Sequence, residues 1–489
     1  MIYQFIIIAL VAVALTLLLV FKNKIGEKRF SLIMKVSAIA LFVCALSRCF
    51  MNDNFIWTIN GGTYGHIFYD RSDFLQSFLR WGTFIAYIVY PCAVFFKHRL
   101  LKNIAIYFCL PVAIVSLVYY SDFITYFTTD SGRAIYVSEW LRHFEFMLEL
   151  FLLILIPLLL RFAYKHKFDI KNKKEWLYFF LLLPAILITV IPVTLPQSLF
   201  GFTNKFMNAF TLPHFLWIGI ILLELTVLYF AFRFKDKETR YALCVFLALY
   251  LVLHYNSIYL MDFNMKRMPF QLCNLGSYLV LLSLLIKRQG FFNFVLLANV
   301  PGALIAFAVP DISEGMLSYW NIHFYIEHTW VFIIPLLMVS LRLFERPDKS
   351  AIKHFFIGFS IYALFCATAG IIANCVLYIP FHEFFNDVNY FYLFDTTVLA
   401  FLPFLGFTRA WEITLNAYTF YPLYMLMVCV LFSVFCMIYF YILKQLTKVG
   451  DNHFKLRQAR IDLNTENEKY KNHIPKKEYD QEDTFICLK

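Results

Sequence analysis

Charged residues are scarce in this chain, at 15% of 489 residues, against about 25% in a typical soluble domain. That shortage excludes an ordinary soluble globular fold. Proline and glycine number only 16 each, which excludes collagen-like and low-complexity chains. Eleven cysteines occur without Cys-x-x-Cys, Cys-x-x-His or zinc-like spacing. A disulfide framework and a structural metal are thereby excluded, and no metal or other cofactor is expected. Cys487, in the closing Cys-Leu-Lys, misses the geometry of a prenylation box. No basic region precedes Ile2–Val20 and no small-residue cleavage site follows it, so the segment reads as a retained first span.

What the chain does have is apolar bulk. Hydrophobic residues reach 61%, with 58 Phe and 31 Tyr, and mean hydropathy is +0.67. Intrinsic disorder is excluded for most of the length. Only helices and closed barrels satisfy the backbone inside hydrocarbon. A barrel needs strands that alternate apolar and polar residues, whereas these apolar runs are continuous and about 18–25 residues long. The fold class is an all-α polytopic membrane protein. The formal net charge is +11, but the basic residues cluster at helix ends, where they set topology. Nucleic acid is therefore not expected as a partner.

Hydropathy predicts thirteen transmembrane helices, near 2–20, 30–49, 78–96, 103–120, 144–164, 175–196, 212–232, 240–261, 268–286, 291–309, 326–345, 354–379 and 419–443. The apolar stretch 390–405 is too short to span and reads as re-entrant or interfacial. Alternate loops are rich in Lys and Arg: Lys22 to Arg29, Lys97 to Lys102, Arg161 to Lys174, Arg233 to Arg240, Lys287 and Arg288, and Arg342 to Lys353. The others hold many of the acids, among them Asp53, Asp70, Asp73, Asp122, Asp130, Asp262, Asp311, Glu314, Glu383 and Asp387, with Lys266 and Arg267 as the one basic pair out of pattern. The positive-inside rule then puts the N-terminus outside and the polar tail, 444–489, in the cytoplasm. That tail is charged and poor in aromatics, which predicts disorder or a short amphipathic helix.

Three stretches recur in order. Lys97, Asn103 and Pro111 return as Lys287, Asn293 and Pro301, at a constant offset of 190. Phe21-Lys22-Asn23-Lys24 returns as Phe234-Lys235-Asp236-Lys237. Arg142-His143 leading to Ile156-Pro157-Leu158-Leu159 returns as Glu327-His328 leading to Ile334-Pro335-Leu336-Leu337. Such a period predicts two tandem parallel six-helix units, 1–211 and 212–418, plus one final span at 419–443.

Ionisable groups within spans are expensive and mark candidate sites. The second unit holds most of them: His214, Glu224, His254, Asn256, Gln271, Cys273, Asn274, Glu327, His328 and Asn374. Cys273 opens one helix and His328 lies near the start of another, at similar depth by the expected topology. A thiol near a helix N-terminus beside an imidazole is the arrangement of a nucleophile and its base. Equally, a cysteine in an apolar span is often a small core residue, and a span-end histidine an interfacial anchor. The residues alone leave both readings open.

The run Met268-Pro269-Phe270-Gln271-Leu272-Cys273-Asn274-Leu275, then Phe324-Tyr325-Ile326-Glu327-His328 leading into Ile333-Ile334-Pro335-Leu336, resembles the transmembrane protein 164 / YwaF family. So does the segment around Asn374 and Asn389-Tyr390. The likeness covers about 212–440, with His214 placed like the family's early histidine and an extra N-terminal unit in front. The resemblance implies a membrane acyltransferase that moves a fatty acyl chain from a phospholipid to a lysolipid. Cys273 would be the acyl carrier and His328 the general base. Glu327 or Asn374 would orient the histidine, and Gln271 or Asn274 would donate to the oxyanion. The 190-residue offset sets Thr83 against Cys273, and the repeat sets His143 against His328, giving a possible second site. Its alternative is a decayed copy whose Thr83 bonds back to its own helix.

Two other functions compete. Parallel six-helix units suggest a lipid or small-molecule transporter or flippase, although few charged groups besides Glu145, Glu149 and Glu224 lie at mid-depth. The tail suggests a non-enzymatic assembly factor with a cytoplasmic protein partner. Lys/Ile/Phe-rich usage points to a low-GC bacterium and hence to its cytoplasmic membrane.

Overall fold

A computed structural model describes residues 2–50, 74–96, 98–128, 139–190, 210–256, 268–310, 319–377, 388–396, 398–416 and 418–472. Lys97, Lys266, Arg267, Cys487 and every acidic loop residue named above except Asp122 lie outside these. The first half contributes α1 (Ile2–Val20), α2 (Glu27–Phe50), α3 (Phe74–Phe96), α4 (Arg99–Val118), α5 (Tyr120–Thr128), α6 (Glu139–Phe162) and α7 (Lys173–Val190). The second half contributes α8 (Leu212–Phe232), α9 (Lys237–Tyr255), α10 (Leu272–Ile286), α11 (Gln289–Ala308), α12 (Tyr319–Ser340), α13 (Lys349–Ile371) and α14 (Pro422–Asn472). Between α13 and α14 lie short helical turns at Tyr390–Tyr392, Val398–Phe401 and Pro403–Ala410. They are followed by an antiparallel pair, β1 (Ile413–Leu415) and β2 (Tyr418–Phe420). The apolar stretch 390–405 thus does not cross as a helix.

The described residues are overwhelmingly helical, and the chain is an all-α integral membrane protein. Among the described residues, eight helices are long and apolar enough to cross a bilayer by themselves: α1, α4, α6, α8, α11, α12, α13 and α14. The helices α2, α3, α7, α9 and α10 fall short of that measure; α10, for instance, has only 15 residues.

Prolines 91, 157, 301 and 335 stand inside helices, which neighbouring helices tolerate inside a membrane. The helix α4 passes through a π turn at Ala105–Cys109 just before Pro111. The helix α13 runs on into a second π turn at Ile372–Leu377, which carries Asn374. Asp236 caps α9 by accepting from Thr239 N at 2.8 Å, and Asp348 caps α13 by accepting from Ser350 N at 2.9 Å. The Thr239 amide and hydroxyl hold the Asp236 carboxyl down to about 2.

The packing has a recurring order. In the first half α1 lies on α6, α2 on α3 and α6, α4 on α3 and α6, and α7 on α4. In the second half α8 lies on α12, α9 on α10 and α12, α11 on α10 and α12, and α13 on α11. The opening helices α1 and α8 are peripheral: only 11% and 6% of their apolar windows are buried, against 72% for α12. Faces this apolar and this exposed belong against lipid.

The halves meet through α7 on α9 and through side chains at the basic ends of the helices. Lys174 pairs with Asp236 at 3.3 Å, and Lys287 sits over the Tyr241 ring at 4.5 Å, with the His98 ring 5.9 Å from that tyrosine. Burial and the nearby Lys287 ammonium pull the His98 imidazole down to about 4. His166, whose Nε2 meets Asn103 Oδ1 at 2.7 Å, is likewise lowered to about 4, by burial first and then by Lys102 and Arg99.

The tail departs from expectation. Where disorder or a short amphipathic helix is predicted, α14 continues unbroken to Asn472. Propagating an existing helix costs far less than nucleating a new one. Arg346 also forks onto Asp451 at 2.7 and 3.1 Å, with Arg342 3.7 Å away, so the extension is clasped to the α12–α13 loop.

Candidate active site

Four helices, α9 to α12, enclose a polar cluster in the second half. Cys273 lies in the first turn of α10, half-buried, and its thiol donates to Asn274 Oδ1 at 3.1 Å. The Glu327 carboxylate of α12 is within electrostatic reach of both the Cys273 thiol and Tyr278. Glu327 is 4% exposed; its Oε2 stands 3.8 Å from His323 Nε2, one turn earlier, and among the described residues its Oε1 meets no hydrogen-bond donor. The His323 ring stacks on His254 of α9 with centroids 5.1 Å apart. Tyr278 donates to Asn256 Oδ1, whose amide returns to Val252 O at 2.6 Å.

His328 faces another way, since successive helical residues are turned by about 100°. Its ring packs on Phe324 and Phe307, and its Nδ1 lies 2.7 Å from Phe324 O. A carbonyl only accepts, so Nδ1 carries the proton and Nε2 is the basic nitrogen of the neutral ring. Among the described residues, no hydrogen bond joins this ring to the Cys273 thiol.

The other expected residues hold backbone. Gln271 donates from Nε2 to Asn389 O at 2.7 Å and accepts Phe391 N–H at 2.9 Å. Asn374 does the same for Val388, donating at 2.7 Å and accepting at 3.0 Å. Together they pin the segment 388–391 across the mouth of α10, where Tyr362 donates to Phe270 O at 2.7 Å. His214 accepts Phe210 N–H at Nδ1 and therefore donates from Nε2 to Phe307 O at 2.8 Å, tying α8 to α11.

Residues 209–444 match the model of the TMEM164 family. Over these residues the chain resembles the TMEM164 family. The TMEM164 region takes in α8 to α13 and the membrane part of α14, and thus the whole cluster around Cys273; the first half lies in front of it. No curated protein and no solved structure matches the chain.

Sequence reasoning passed over His323 and Asn299 in the TMEM164 region. His323 had a signal, being four residues from Glu327 on one helix face. Asn299 is a fully buried amide on α11, as Asn293 is nearly so on the same helix. In the first half, Thr83 donates back to Leu79 O at 2.8 Å, while His143 meets the Tyr120 hydroxyl at 3.1 Å and stacks on Tyr3 with centroids 4.0 Å apart.

Proposed function

We propose that this chain is an integral-membrane lipid acyltransferase in which Cys273 carries a fatty acyl group as a thioester. One juxtaposition supports the reading above all: a half-buried cysteine in the first turn of a membrane helix, at the rim of a buried polar cluster built by four helices. A thiol becomes a nucleophile only as thiolate, and the N-terminus of α10 favours the anion. In this reading His328 accepts the proton once its ring turns from Phe324 and Phe307 toward Cys273, its Nε2 being the basic nitrogen while Nδ1–H is bonded to Phe324 O. The thiolate attacks the ester carbonyl of a phospholipid, the lysolipid leaves, and a second lysolipid hydroxyl takes the acyl group from sulfur.

The recurring order of helix neighbours and the constant 190-residue offset support two tandem parallel six-helix units with thirteen spans in all. The basic loops at one end support an N-outside, C-inside topology, with Cys273 toward the outer leaflet of a bacterial cytoplasmic membrane.

The test is mass spectrometry of the purified full chain after incubation with phospholipid labelled in its acyl chain. A hydroxylamine-sensitive adduct on Cys273, absent from Cys273→Ala, is expected. Label on another cysteine, or full turnover by Cys273→Ala, would overturn the reading. It would favour the transporter alternative, which draws on Glu145 and Glu149 buried along α6.

A further inference from the structure

One buried side chain packs against α10 a helical turn from Cys273. Asn299 of α11 is 0% exposed, and among the described residues neither its Oδ1 nor its Nδ2 has a hydrogen-bond partner. Burying an unpaired amide is costly, so the position calls for a role in which a partner arrives. Its surroundings are specific. A Cβ added at Gly276 would stand 2.2 Å from Asn299 Nδ2 and 3.1 Å from Val331 Cγ1. Only glycine at 276 lets the amide reach the surface of α10. The same helix pair meets again where Leu272 lies 3.4 Å from the Cβ position of Gly302, which fixes the antiparallel register of α10 and α11.

That register sets the amide in depth. Gly276 is three residues, one helical turn, beyond Cys273. Val331 is one turn beyond Glu327 on α12, which runs the same way as α10. Cys273 and Glu327 therefore lie in one layer, and Asn299 lies in the next, its two N–H donors unbonded among the described residues. Of the two donors expected from sequence, Gln271 is already bonded to Asn389 and Phe391, and Asn274 accepts from the Cys273 thiol through Oδ1.

We propose that Asn299 is the oxyanion donor of this site. The inference rests on the acyl-transfer reading. In the step it serves, the Cys273 thiol gives its proton to the base and a sulfur–carbon bond forms at the ester carbonyl. The carbonyl π pair moves onto oxygen, and Asn299 Nδ2–H donates to that oxygen as it gains charge. The pair then returns, the carbon–oxygen ester bond breaks, and the leaving glycerol oxygen takes the proton back from the base. The products are a thioester on Cys273 and a lysolipid.

The test compares two reactions at the same sulfur, in the full chain. Acylation by labelled phospholipid passes through an oxyanion; alkylation by iodoacetamide does not. Asn299→Leu removes both amide atoms at similar volume. Asn299→Asp, equal in size and still polar, covers the case in which the leucine variant does not fold. Both variants are expected to slow acylation of Cys273 by about 10²–10³-fold while alkylation stays at the wild-type rate. Acylation at the wild-type rate in either variant overturns the role of Asn299 and leaves the acyl-transfer reading standing. A parallel fall in both reactions also overturns it, because the amide then only seats α10. Wild-type protein that forms no adduct on Cys273 removes the acyl-transfer reading and the inference with it.

Discussion

The two halves treat a buried carboxylate in opposite ways. Glu149 of α6 stands eight residues before Pro157, and Glu327 of α12 stands eight residues before Pro335. In the first half Tyr87 of α3 donates its hydroxyl straight to Glu149, and neighbouring Tyr90 donates to Leu153 O at 2.9 Å. At the position 190 residues beyond Tyr87 the second half has Ser277, whose hydroxyl turns back to Asn274 O at 2.7 Å. Glu327 is left near a thiol and an imidazole, and the phenol within its reach, Tyr278, donates to Asn256 instead. The lesson concerns what a buried charge is for. Once closed by a hydroxyl from the next helix it is a cross-brace; left open beside a thiol it is chemistry.

The comparison breaks most readily at the two residues set against each other by the repeat. Cys273→Ala is expected to abolish acyl transfer, whereas Thr83→Ala should leave it unchanged; transfer from labelled phospholipid measures both. Loss of transfer in the threonine variant would mean that the first half is no inert copy. Next in size, His328→Ala should slow transfer by about 10²–10⁴-fold, the usual worth of a general base. His143→Ala, which removes a ring stacked on Tyr3, should not slow it. Equal effects from the two histidines would erase the contrast.

Acid should loosen the first half. His98 and His166 are held at about 4 in the fold, against an ordinary 6.5. Above pH 6.5 both are neutral, folded or unfolded, and their contribution is complete. Between pH 6.5 and 4 the unfolded chain takes up protons that the fold refuses, so stability falls as pH falls. Thermal unfolding in detergent across that range should show the decline, with a shallower slope for His166→Asn; a flat profile contradicts it.

Smaller still, Tyr87→Phe deprives the buried Glu149 of its hydroxyl donor and should cost about 1–3 kcal/mol of stability without slowing transfer. A wild-type melting temperature would show that Tyr87 is not the brace. The least effect belongs to Asp451→Ala, which opens a partly exposed ion pair worth about 0–1 kcal/mol. It should show as faster amide exchange in α14 beyond Leu443, with the melting temperature hardly moved.

The spans were legible because a bilayer demands apolar runs of fixed length, and the sequence carries them as uninterrupted strings of Leu, Ile and Phe. The continuation of α14 was not, because Lys444 to Asn472 has no apolar run of its own and depends on the helix before it and on a clasp from Arg346, 105 residues earlier. At the site, Cys273 and His328 stood out through short motifs. The work of Gln271 could not be read, since the backbone it holds lies 118 and 120 residues away. Asn299 needed Gly276 to make sense, and nothing in either local sequence says that the two helices touch there. His323 was within reach of periodicity alone.

The helix α14 has 51 residues, about 75 Å at the usual rise, against a hydrocarbon core of about 30 Å. More than half of it is a rod outside the membrane. Asp451 lies well along that rod, tethered to the loop that joins α12 to α13. A sideways load at its far end is therefore levered about that tether, and the arm on the membrane side bears on α11 and α13, the helices α14 packs against.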